Sequence, residues 1–460
     1  MSGRKIDQKN RVSAAPTKFI KLNVIYAGWG ERWQLGTLAD DGRQVLFEYS
    51  AEARTKALEL SPLHLPLAMA GASRGEPFFM GLPGMVADAL PDGWGLLLMD
   101  RWFRQLGRNP AEVSVLERLA LLGDHALGAL AFEPATQAAD ELWADEPMQS
   151  NLHYLAAAAD QQQRASADAS RRPTLCAKSA LREMLQLGGS PQGARPKVLV
   201  NYNASTGQID VAPGVGVAGP ASAAREYAPW LIKFPARGEH WEVCAVEELY
   251  ARVARHCGIA MPSSRFFDLG SGAGDTSTKQ QHYSAFGVAR FDREDGLRVP
   301  VHSLSGLLHA DYRMPSLDYD QLLRATRRLT GDEREVTAAF ARAVFNVAMH
   351  NRDDHARNFE WLLSRDRRWR LAPAFDLTFS NGPRGQHTMT IAGEGRAPMR
   401  GHLLALARSA GMATKTAPHT IDAIVSGCAA LPELARDLPI RKKTLSELQT
   451  TVNAMLVGLR

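Results

Sequence analysis

The order of predicted elements after residue 185 constrains the fold of this chain more than any other feature. A glycine-rich turn, GGSPQGARPK, leads into a strand, KVLVNYN, and a second strand, WLIKF, carries one lysine in an apolar run. A helix follows, because Val246, Leu249 and Val253 recur at helical spacing and Gly258 suits the residue after a helix end. Two more strands, SRFFDL and YSAFGVARF, come next, and the pattern beyond residue 296 is mostly helical. These elements predict an α+β fold in which a β-rich lobe precedes a helical lobe.

A separate unit precedes these elements. With 460 residues the chain is long enough for two or three domains. Alternating residues in IKLNVIYAGW, RWQLGTLADD and QVLFEYS predict strands, and LPDGWGLLLMDRWFRQLG predicts a turn entering a helix. We expect a disordered N-terminus at 1–17, a small α+β domain at 18–135 without a catalytic constellation, a connector and β-rich lobe at 136–295, and a helical lobe at 296–460. The stretch 136–180 is rich in Ala, Gln, Asp and Ser and predicts surface helices or a connector.

Charge and cysteine content limit the partners and the compartment. The net charge of +5 is small for this length, so the basic clusters indicate solvated helix faces more readily than a nucleic-acid surface. Four cysteines, none in a CxxC pair, predict neither a zinc site nor a disulfide framework and fit a reducing compartment. The first residues lack the apolar segment of a secretory signal, and no apolar run is long enough to cross a membrane. We therefore expect a cytoplasmic protein without membrane contact.

The most polar segment of the chain is HNRDDHARN, which runs directly into the apolar FEWLL. Val336, Phe340 and Val344 share one face of a predicted helix before it. This helix should begin at a capping box in Thr330–Glu333 and end near His350. The polar segment is therefore predicted to be a loop that leaves a buried helix.

A β-hairpin is predicted to follow this loop. The segments FEWLLS and WRLAPAF flank RDRR, a four-residue turn, so that Ser364 would face Trp369. The same register places Asn358 opposite Phe375 and beside Asp376, because neighbouring strands lie about 5 Å apart. A carboxylate and a carboxamide side by side suit Mg²⁺, which prefers few protein oxygens together with phosphate oxygens and water.

Asp353 precedes Asn358 by five residues, the D-x-x-x-x-N spacing in which an aspartate acts as base in phosphoryl transfer. The spacing alone is common, and a solvated turn would also contain such residues. His350 and His355 raise the alternative of a zinc or iron site, but their spacing fits no zinc motif and no third soft ligand is nearby. We expect His355 to fix the loop by hydrogen bonds.

Lys233 is the lysine of the strand WLIKF, and it could simply lie on an exposed face of the sheet. Glu248, on the helix that follows, would pair with it and hold it against nucleotide phosphates, although Glu247 is a rival for this role. The turn GGSPQGARPK is not a Walker A motif, but a glycine-rich loop can still offer backbone N–H groups to phosphate. An ordinary loop remains an equal alternative.

Taken together, these motifs resemble the HipA family of bacterial serine/threonine kinase toxins, the toxin partners in HipBA-type toxin–antitoxin systems. FEYS, LPGMVADALPDGWGLLLMDR and LGALAFEP are similar to the N-terminal region of the family. GGSPQGARPK, LIKFP, VARFDR, NRDDHARNF and LAPAFD are similar to its kinase core. The resemblance covers almost the whole chain and implies a two-lobed, protein-kinase-like α+β fold with an additional small N-terminal domain.

The resemblance implies roles for the residues of the loop, the hairpin and the hinge. Asp353 would be the catalytic base, Asn358 and Asp376 would bind Mg²⁺, and Lys233 would contact ATP phosphates. The segment VARFDR would be the hinge, with the backbone at Ala289 and Phe291 near the adenine.

The resemblance also implies regulation and partners. Ser190 matches the serine of the glycine loop whose autophosphorylation is associated with an inactive kinase, and Gly189 and Gly193 flank it near the nucleotide. The family's partner is a small helix-turn-helix antitoxin, which would link this chain to DNA only indirectly. Known targets of the family include aminoacyl-tRNA synthetases.

Three departures from the family pattern are visible. The family often has Asn where this chain has Glu247, Arg357 replaces the usual Lys of the catalytic loop, and Asp376 is followed by Leu-Thr rather than Phe-Gly. Two alternative functions remain. The chain could be a catalytically weak co-repressor scaffold that binds an antitoxin on DNA, or a small-molecule kinase on the same scaffold. The intact set of Asp353, Asn358 and Asp376 argues against a fully inactive kinase.

Overall fold

The computed structural model describes residues 21–143, 151–165, 175–189, 191–210, 227–271 and 282–460. The predicted disordered N-terminus at 1–17 lies outside these residues. The strands are β1 Lys21–Tyr26, β2 Trp33–Asp40, β3 Val45–Tyr49, β4 Ser73–Arg74, β5 Leu130–Glu133, β6 Lys197–Tyr202, β7 Ile209–Asp210, β8 Ala228–Lys233, β9 Ser264–Ser271, β10 His282–Ala289, β11 Arg293–Glu294, β12 Leu297–Arg298, β13 Val301–Ser303, β14 Glu360–Leu363 and β15 Trp369–Leu371.

The helices are α1 Ala51–Lys56, α2 Gly84–Ala87, α3 Gly93–Gln105, α4 Val115–Leu122, α5 Gln137–Trp143, α6 Leu152–Ala165, α7 Leu175–Gly188, α8 Val243–His256, α9 Leu304–Leu308, α10 Tyr319–Thr330, α11 Glu333–Ala348, α12 Arg400–Ser409, α13 Thr416–Cys428, α14 Leu431–Leu434 and α15 Lys442–Leu459. None of the helices in the described ranges is both long enough and apolar enough to cross a membrane.

The N-terminal part of the chain forms an antiparallel sheet with strand order β4-β3-β2-β1-β5. Its first three strands are those predicted from the alternating sequence, and Leu22, Val24 and Leu35 direct their side chains into the core. The predicted turn and helix are also present, because α3 begins directly after Asp92. This places Asp92 at the end of a turn that faces the second lobe.

A second antiparallel sheet has strand order β7-β6-β8-β10-β9. Its register pairs Lys197 on β6 with Lys233 on β8, and Leu231 on β8 with Val288 on β10. Helix α8 packs against β9 and β10 and ends at His256, with Cys257 as its C-cap and Gly258 directly after it, as predicted. This sheet and α8 form the β-rich lobe.

Two large cores hold these elements together. The first contains residues from β1 to β3 and from α3 to α7, and it continues into β6 and β8, so that residues on both sides of position 135 share it. Leu155 and Ala159 on α6 are fully buried there, although the composition of 136–180 predicts surface helices or a connector rather than a core. The second core joins α8 to helices α10 to α15, which form the helical lobe.

Helix α11 leads into the polar loop, and its start differs from the prediction. Helix α10 runs through Thr330, and Gly331 ends it in the left-handed conformation with φ of 65°, so Thr330 is not available as the N-cap of the next helix. Asp332 caps α11 instead by accepting a hydrogen bond from the Arg334 N–H. The predicted apolar face is confirmed, since Val336 and Phe340 are fully buried.

The predicted hairpin exists, but its register is shifted by one residue. Trp361 pairs with Leu371 and Leu363 with Trp369, because the turn has five residues, Ser364–Arg368, rather than four. Arg367 adopts a φ of 58°, which adds the extra residue to the turn. Extending the observed register would place Ala374, not Phe375, opposite Asn358. Asn358 itself lies in a short 3₁₀ turn just before β14, and β13 pairs with the outer side of that strand.

Candidate functional site

One cavity of about 890 Å³ lies between the second sheet, the glycine loop and the loop that follows α11. Seven of the predicted site residues line it: Gly193, Lys233, Ala289, Phe291, Asp353, Asn358 and Asp376. Gly189 and Glu248 do not belong to its wall, and Ser190 lies outside the described residues. Gly189 instead continues the end of α7, where its N–H donates to the Leu185 carbonyl at 2.8 Å. The chain thus brings together residues from positions that are up to about 180 apart in sequence.

Lys233 pairs with Glu247, and the predicted pair with Glu248 is wrong. The Lys233 Nζ lies 2.5 Å from Glu247 Oε1, and both side chains are buried. Glu248 points to the other side of α8, where it accepts from Arg252 at 2.9 Å and from Ser264 at 2.6 Å. Neighbouring residues on a helix point about 100° apart, so only one of the two glutamates can face the lysine. Both are buried, and burial pattern alone could not separate them.

Lys233 also contacts the Asp376 carboxylate, so one ammonium group bridges two carboxylates. Asp376 adopts a φ of 53°, a left-handed conformation that is costly for a residue with a Cβ. Such strain is concentrated at functional sites. The conformation follows directly after Phe375, which packs against the hinge residue Phe291 with ring centres 5.5 Å apart. Asp376 is thereby held at the cavity wall rather than in the hairpin.

Asp353 and Asn358 are joined through the backbone of the loop. The Asn358 Nδ2 donates to the Asp353 carbonyl at 2.8 Å, which leaves the Asn358 Oδ1 as the group available to the cavity. The Asp353 side chain is exposed at the cavity wall. An exposed carboxylate next to a fixed carboxamide oxygen is what a base and a neighbouring metal ligand require.

The second aspartate of the loop has a structural role. Asp354 is buried and accepts hydrogen bonds from the Tyr319 hydroxyl at 2.7 Å and the Thr388 N–H at 2.8 Å, and its carboxylate lies 2.7 Å from His387 Nδ1. These partners fix the backbone directly after Asp353. Some of the polar residues of the loop therefore hold the loop in place, and the Asp353 side chain remains available to the cavity.

The histidines of the loop do not form a metal cluster. His350 is buried and stacks on Phe379, and burial together with the nearby Arg352 lowers its pKa to about 4. His355 lines the cavity, and its pKa is lowered mainly by burial. Across the described part of the chain, no group of three His, Cys, Asp or Glu side chains is placed to hold a metal ion. The oxygens of Asn358 and Asp376 remain as the candidate ligands.

A second lysine, which the sequence patterns did not single out, lies below the glycine loop. Lys197 is buried on β6 next to Lys233, and its Nζ donates to the Gln192 carbonyl. Burial, and then the neighbouring charge of Lys233, lower the pKa of Lys197 to about 7. The cavity therefore contains two amines beside the glycine loop. In the sequence this lysine is the first residue of the predicted strand in PKVLV. The sequence alone does not distinguish a buried lysine at such a position from a solvent-exposed one.

The N-terminal domain, in which the sequence shows no catalytic constellation, also supplies residues to the cavity. Asp88, Asp92 and Gly93 all line the cavity. Glu360, from β14, lines it as well, and its pKa is raised well above the ordinary value by burial, then by the charges of Asp88 and Asp292. No local motif in sequence could reveal these contributions, because they depend on how the two parts of the chain pack.

The donor set of this cavity fits a nucleotide with magnesium. The cavity has the volume of a small-molecule site. It offers amines at Lys197 and Lys233 for phosphate, oxygens at Asn358 and Asp376 for a hard cation, and an apolar hinge around Ala289 for a base. We infer from this chemistry that a nucleoside triphosphate and Mg²⁺ are suitable ligands.

Two family models match the chain. The HipA-like C-terminal domain matches residues 189–431, and the HipA N-terminal domain matches residues 26–133. No curated protein gave a match. The C-terminal model alone covers more than half of the chain, and it contains the predicted catalytic and metal-binding residues.

The fold is similar to that of a solved structure. The HipA chain in a complex of Shewanella oneidensis MR-1 HipA, HipB and operator DNA has a TM-score of 0.62 and 16% sequence identity, covering 95% of this chain and 96% of that one. A Helicobacter pylori proinflammatory kinase, CtkA, has a TM-score of 0.35 and 11% identity over 50% of this chain and 88% of its own. The predicted α+β fold with an additional N-terminal domain is confirmed by the first match, which extends over nearly the whole of both chains. This chain belongs to the HipA family.

Proposed function

We propose that this chain is an ATP- and Mg²⁺-dependent protein serine/threonine kinase that acts as the toxin of a bacterial toxin–antitoxin pair. The observation that carries the proposal is the convergence of the Lys233–Glu247 ion pair with Asp353, Asn358 and Asp376 on one cavity. Family membership supports the same reading, because the matched C-terminal domain contains all five residues.

The reaction that this arrangement favours transfers the γ-phosphoryl group of ATP to a hydroxyl. Asp353 orients the hydroxyl and accepts its proton, a new bond forms between that oxygen and the γ-phosphorus, and the bond to the bridging oxygen of ADP breaks. Lys233, held by Glu247, places positive charge beside the phosphates. Magnesium ions bound by Asn358 and Asp376 would neutralise the charge on the phosphate oxygens. The Lys233–Asp376 contact would open as the nucleotide and metal arrive.

The partner proposed for this kinase is a small helix-turn-helix antitoxin similar to HipB. Support comes from the Shewanella oneidensis complex, in which a HipA chain is found with HipB and operator DNA. Contact with DNA would then be indirect. The proposed protein substrate is a translation component such as an aminoacyl-tRNA synthetase, and the proposed control is autophosphorylation at Ser190.

Incubation of the purified chain with γ-labelled ATP and Mg²⁺, with and without candidate synthetases, tests this function. We expect label on the chain itself, at Ser190, and on one protein substrate. Label on a metabolite would indicate a small-molecule kinase instead. No label anywhere, with nucleotide still bound, would indicate a co-repressor scaffold and contradict the proposal. A Ser190→Ala variant controls for self-labelling, since it should remove label from the chain but not from the substrate.

A further inference from the structure

Asp92, at the start of α3 in the N-terminal domain, connects two loops of the proposed active site. Its Oδ1 accepts a hydrogen bond from the Gly193 N–H of the glycine loop. Its Oδ2 accepts from the Tyr312 hydroxyl at 2.7 Å and from Arg357 Nη1 at 2.7 Å. Arg357 belongs to the same loop as Asp353, so one carboxylate joins the glycine loop to the catalytic loop.

The glycine loop rests directly on this part of the N-terminal domain. The Trp94 N–H donates to the Gly193 carbonyl at 3.0 Å, and the Gln192 side chain donates to the Asp88 carbonyl at 2.7 Å. A Cβ on Gly93 would lie 2.7 Å from the Gly193 carbonyl oxygen, closer than side-chain carbons approach. Only glycine at position 93 therefore permits this contact, and the loop is held on the surface of α3 from both sides of Gly193.

The charge of Asp92 is compensated within the site. Burial alone would raise its pKa, but the charge of Arg357 and the hydrogen bonds from Gly193 and Tyr312 lower it below the ordinary value. Arg357 is itself buried and lies 4.3 Å above the Tyr312 ring. An unpaired carboxylate at this place would repel a triphosphate. The ion pair with Arg357 therefore allows the Asp92 carboxylate to lie beside a phosphate site.

The anchor itself is fixed to the helical lobe. Asp88, four residues before Asp92, accepts from the Ser303 N–H at 2.8 Å and the Ser303 hydroxyl at 2.6 Å, and it lies 2.6 Å from His302 Nδ1. The His302 Nε2 in turn lies 3.0 Å from the Ser61 hydroxyl. All of these groups are buried or nearly so. The turn that carries Asp92 is thus rigidly positioned relative to both lobes.

We propose that Asp92 is a positioning residue of the phosphoryl-transfer site, through which the N-terminal domain holds the glycine loop over the nucleotide phosphates and in register with the catalytic loop. This inference rests on the proposed kinase function. Asp92 touches neither the substrate hydroxyl nor the proposed metal ligands. It acts through Gly193 and Arg357, and it makes the N-terminal domain a wall of the active site rather than a separate binding module.

The test combines amide hydrogen exchange of the Gln192–Ala194 segment with the KM for ATP and the kcat of the full-length chain. In Asp92→Ala the Gly193 amide loses its acceptor and should exchange faster, and the KM for ATP should rise about tenfold, the factor for about 1.4 kcal/mol. A largely unchanged kcat is expected, because a misplaced loop weakens nucleotide binding, whereas a partly unfolded sample would lose kcat at constant KM. Asp92→Glu should recover part of the affinity.

Asp100→Asn is the matched control. Asp100 lies on the same helix and forms an ion pair with Arg118 at 2.8 Å, away from the cavity. It should leave loop exchange and the KM for ATP unchanged.

Unchanged exchange at Gly193 in Asp92→Ala, or faster exchange with an unchanged KM, would overturn the proposal. If Asp92→Ala fails to fold, Tyr312→Phe and Arg357→Met remove the partners of Asp92 Oδ2 one at a time. Each should make the Gly193 amide exchange faster and raise the KM for ATP, because the Asp92 carboxylate is then held less firmly, and unchanged exchange in both variants would overturn the proposal. If the wild-type chain binds no ATP, the proposed function fails, while the exchange of Gly193 still decides whether Asp92 holds the loop.

Discussion

Replacement of Glu247 should weaken ATP binding, whereas replacement of the adjacent Glu248 should not. Glu247 is 2% exposed and Lys233 5% exposed, so their ion pair is shielded from water. Glu247→Gln keeps the shape of the side chain and removes its charge. Glu248→Gln makes the same chemical change one position along α8, on the side that faces Arg252 and Ser264.

The size of the effect follows from the contacts. Breaking a buried ion pair by removing one partner costs about 3–5 kcal/mol of unfolding free energy. The lower end, about 3 kcal/mol, applies to Glu247→Gln, because both cations beside Glu247 keep a second partner. Asp376 still contacts Lys233, and Arg195, which lies 3.2 Å from Glu247, is still held by Glu239 at 2.8 Å. Glu248→Gln also loses buried, charged hydrogen bonds, so stability alone does not separate the two variants.

Nucleotide affinity does separate them. Without Glu247, Lys233 is left with Asp376 as its carboxylate partner, so the lysine and the proposed metal ligand neutralise each other more tightly. We expect the Kd for MgATP to rise about tenfold, or about 1.4 kcal/mol. For Glu248→Gln we expect a Kd within about twofold of wild type, since this side chain does not line the cavity.

Calorimetric titration with MgATP at a temperature where both variants are folded measures this difference, and urea unfolding measures the stability loss beside it. Equal affinities in wild type and Glu247→Gln would refute the assignment of Glu247. A tenfold loss in Glu248→Gln alone would restore the pairing predicted from the sequence.

Three further predictions concern the buried groups of the site. Binding of ATP near pH 7 should take up a proton, because the phosphate charge raises the pKa of Lys197 from about 7. The binding enthalpy should therefore depend on the ionisation enthalpy of the buffer in wild type, and this buffer dependence should be lost in Lys197→Met. Because the pKa of Glu360 is raised in the folded state, its carboxyl destabilises the fold only above a pH of about 4.3, and the effect grows as the pH rises toward its folded-state pKa. Glu360→Gln should therefore gain stability over wild type in urea unfolding between about pH 5 and 8. A gain that shrinks as the pH rises would be inconsistent with this. Asp354→Ala should lose about 2–4 kcal/mol of stability because it leaves buried donors without an acceptor, and a loss below about 1 kcal/mol would show that the loop is not held this way.

The catalytic loop and the hairpin were predictable because their signals are local. Asp353, Asn358 and Asp376 lie within 24 positions of one another, and one hairpin separates Asn358 from Asp376 and returns the chain to the same cavity. The error of one residue in the register came from Arg367, whose left-handed conformation has no signal in an RDRR turn. The predicted capping box at Thr330 is wrong for a similar reason. Gly331 ends α10, so that Thr330 belongs to the last turn of α10 and does not cap the helix that follows.

The contributions of tertiary packing could not be predicted. The choice between Glu247 and Glu248 depends on the rotation of α8 about its axis, and both positions are buried. Asp92 lies 101 positions before Gly193, and only the packing of the N-terminal domain against the second lobe brings them together. The motif LPDGWG predicts a turn before a helix, and this prediction is confirmed. The motif does not indicate that the turn contacts the glycine loop.

The central claim is most directly tested by measuring γ-phosphoryl transfer from ATP and MgATP affinity side by side in wild type and Asp353→Ala. The account predicts that the variant binds MgATP with a Kd within about twofold of wild type but transfers phosphoryl groups at least about 100-fold more slowly, because the proposed role of Asp353 is to act on the accepting hydroxyl and not to bind the nucleotide. Transfer at the wild-type rate, or loss of ATP binding in a folded Asp353→Ala protein, would contradict it.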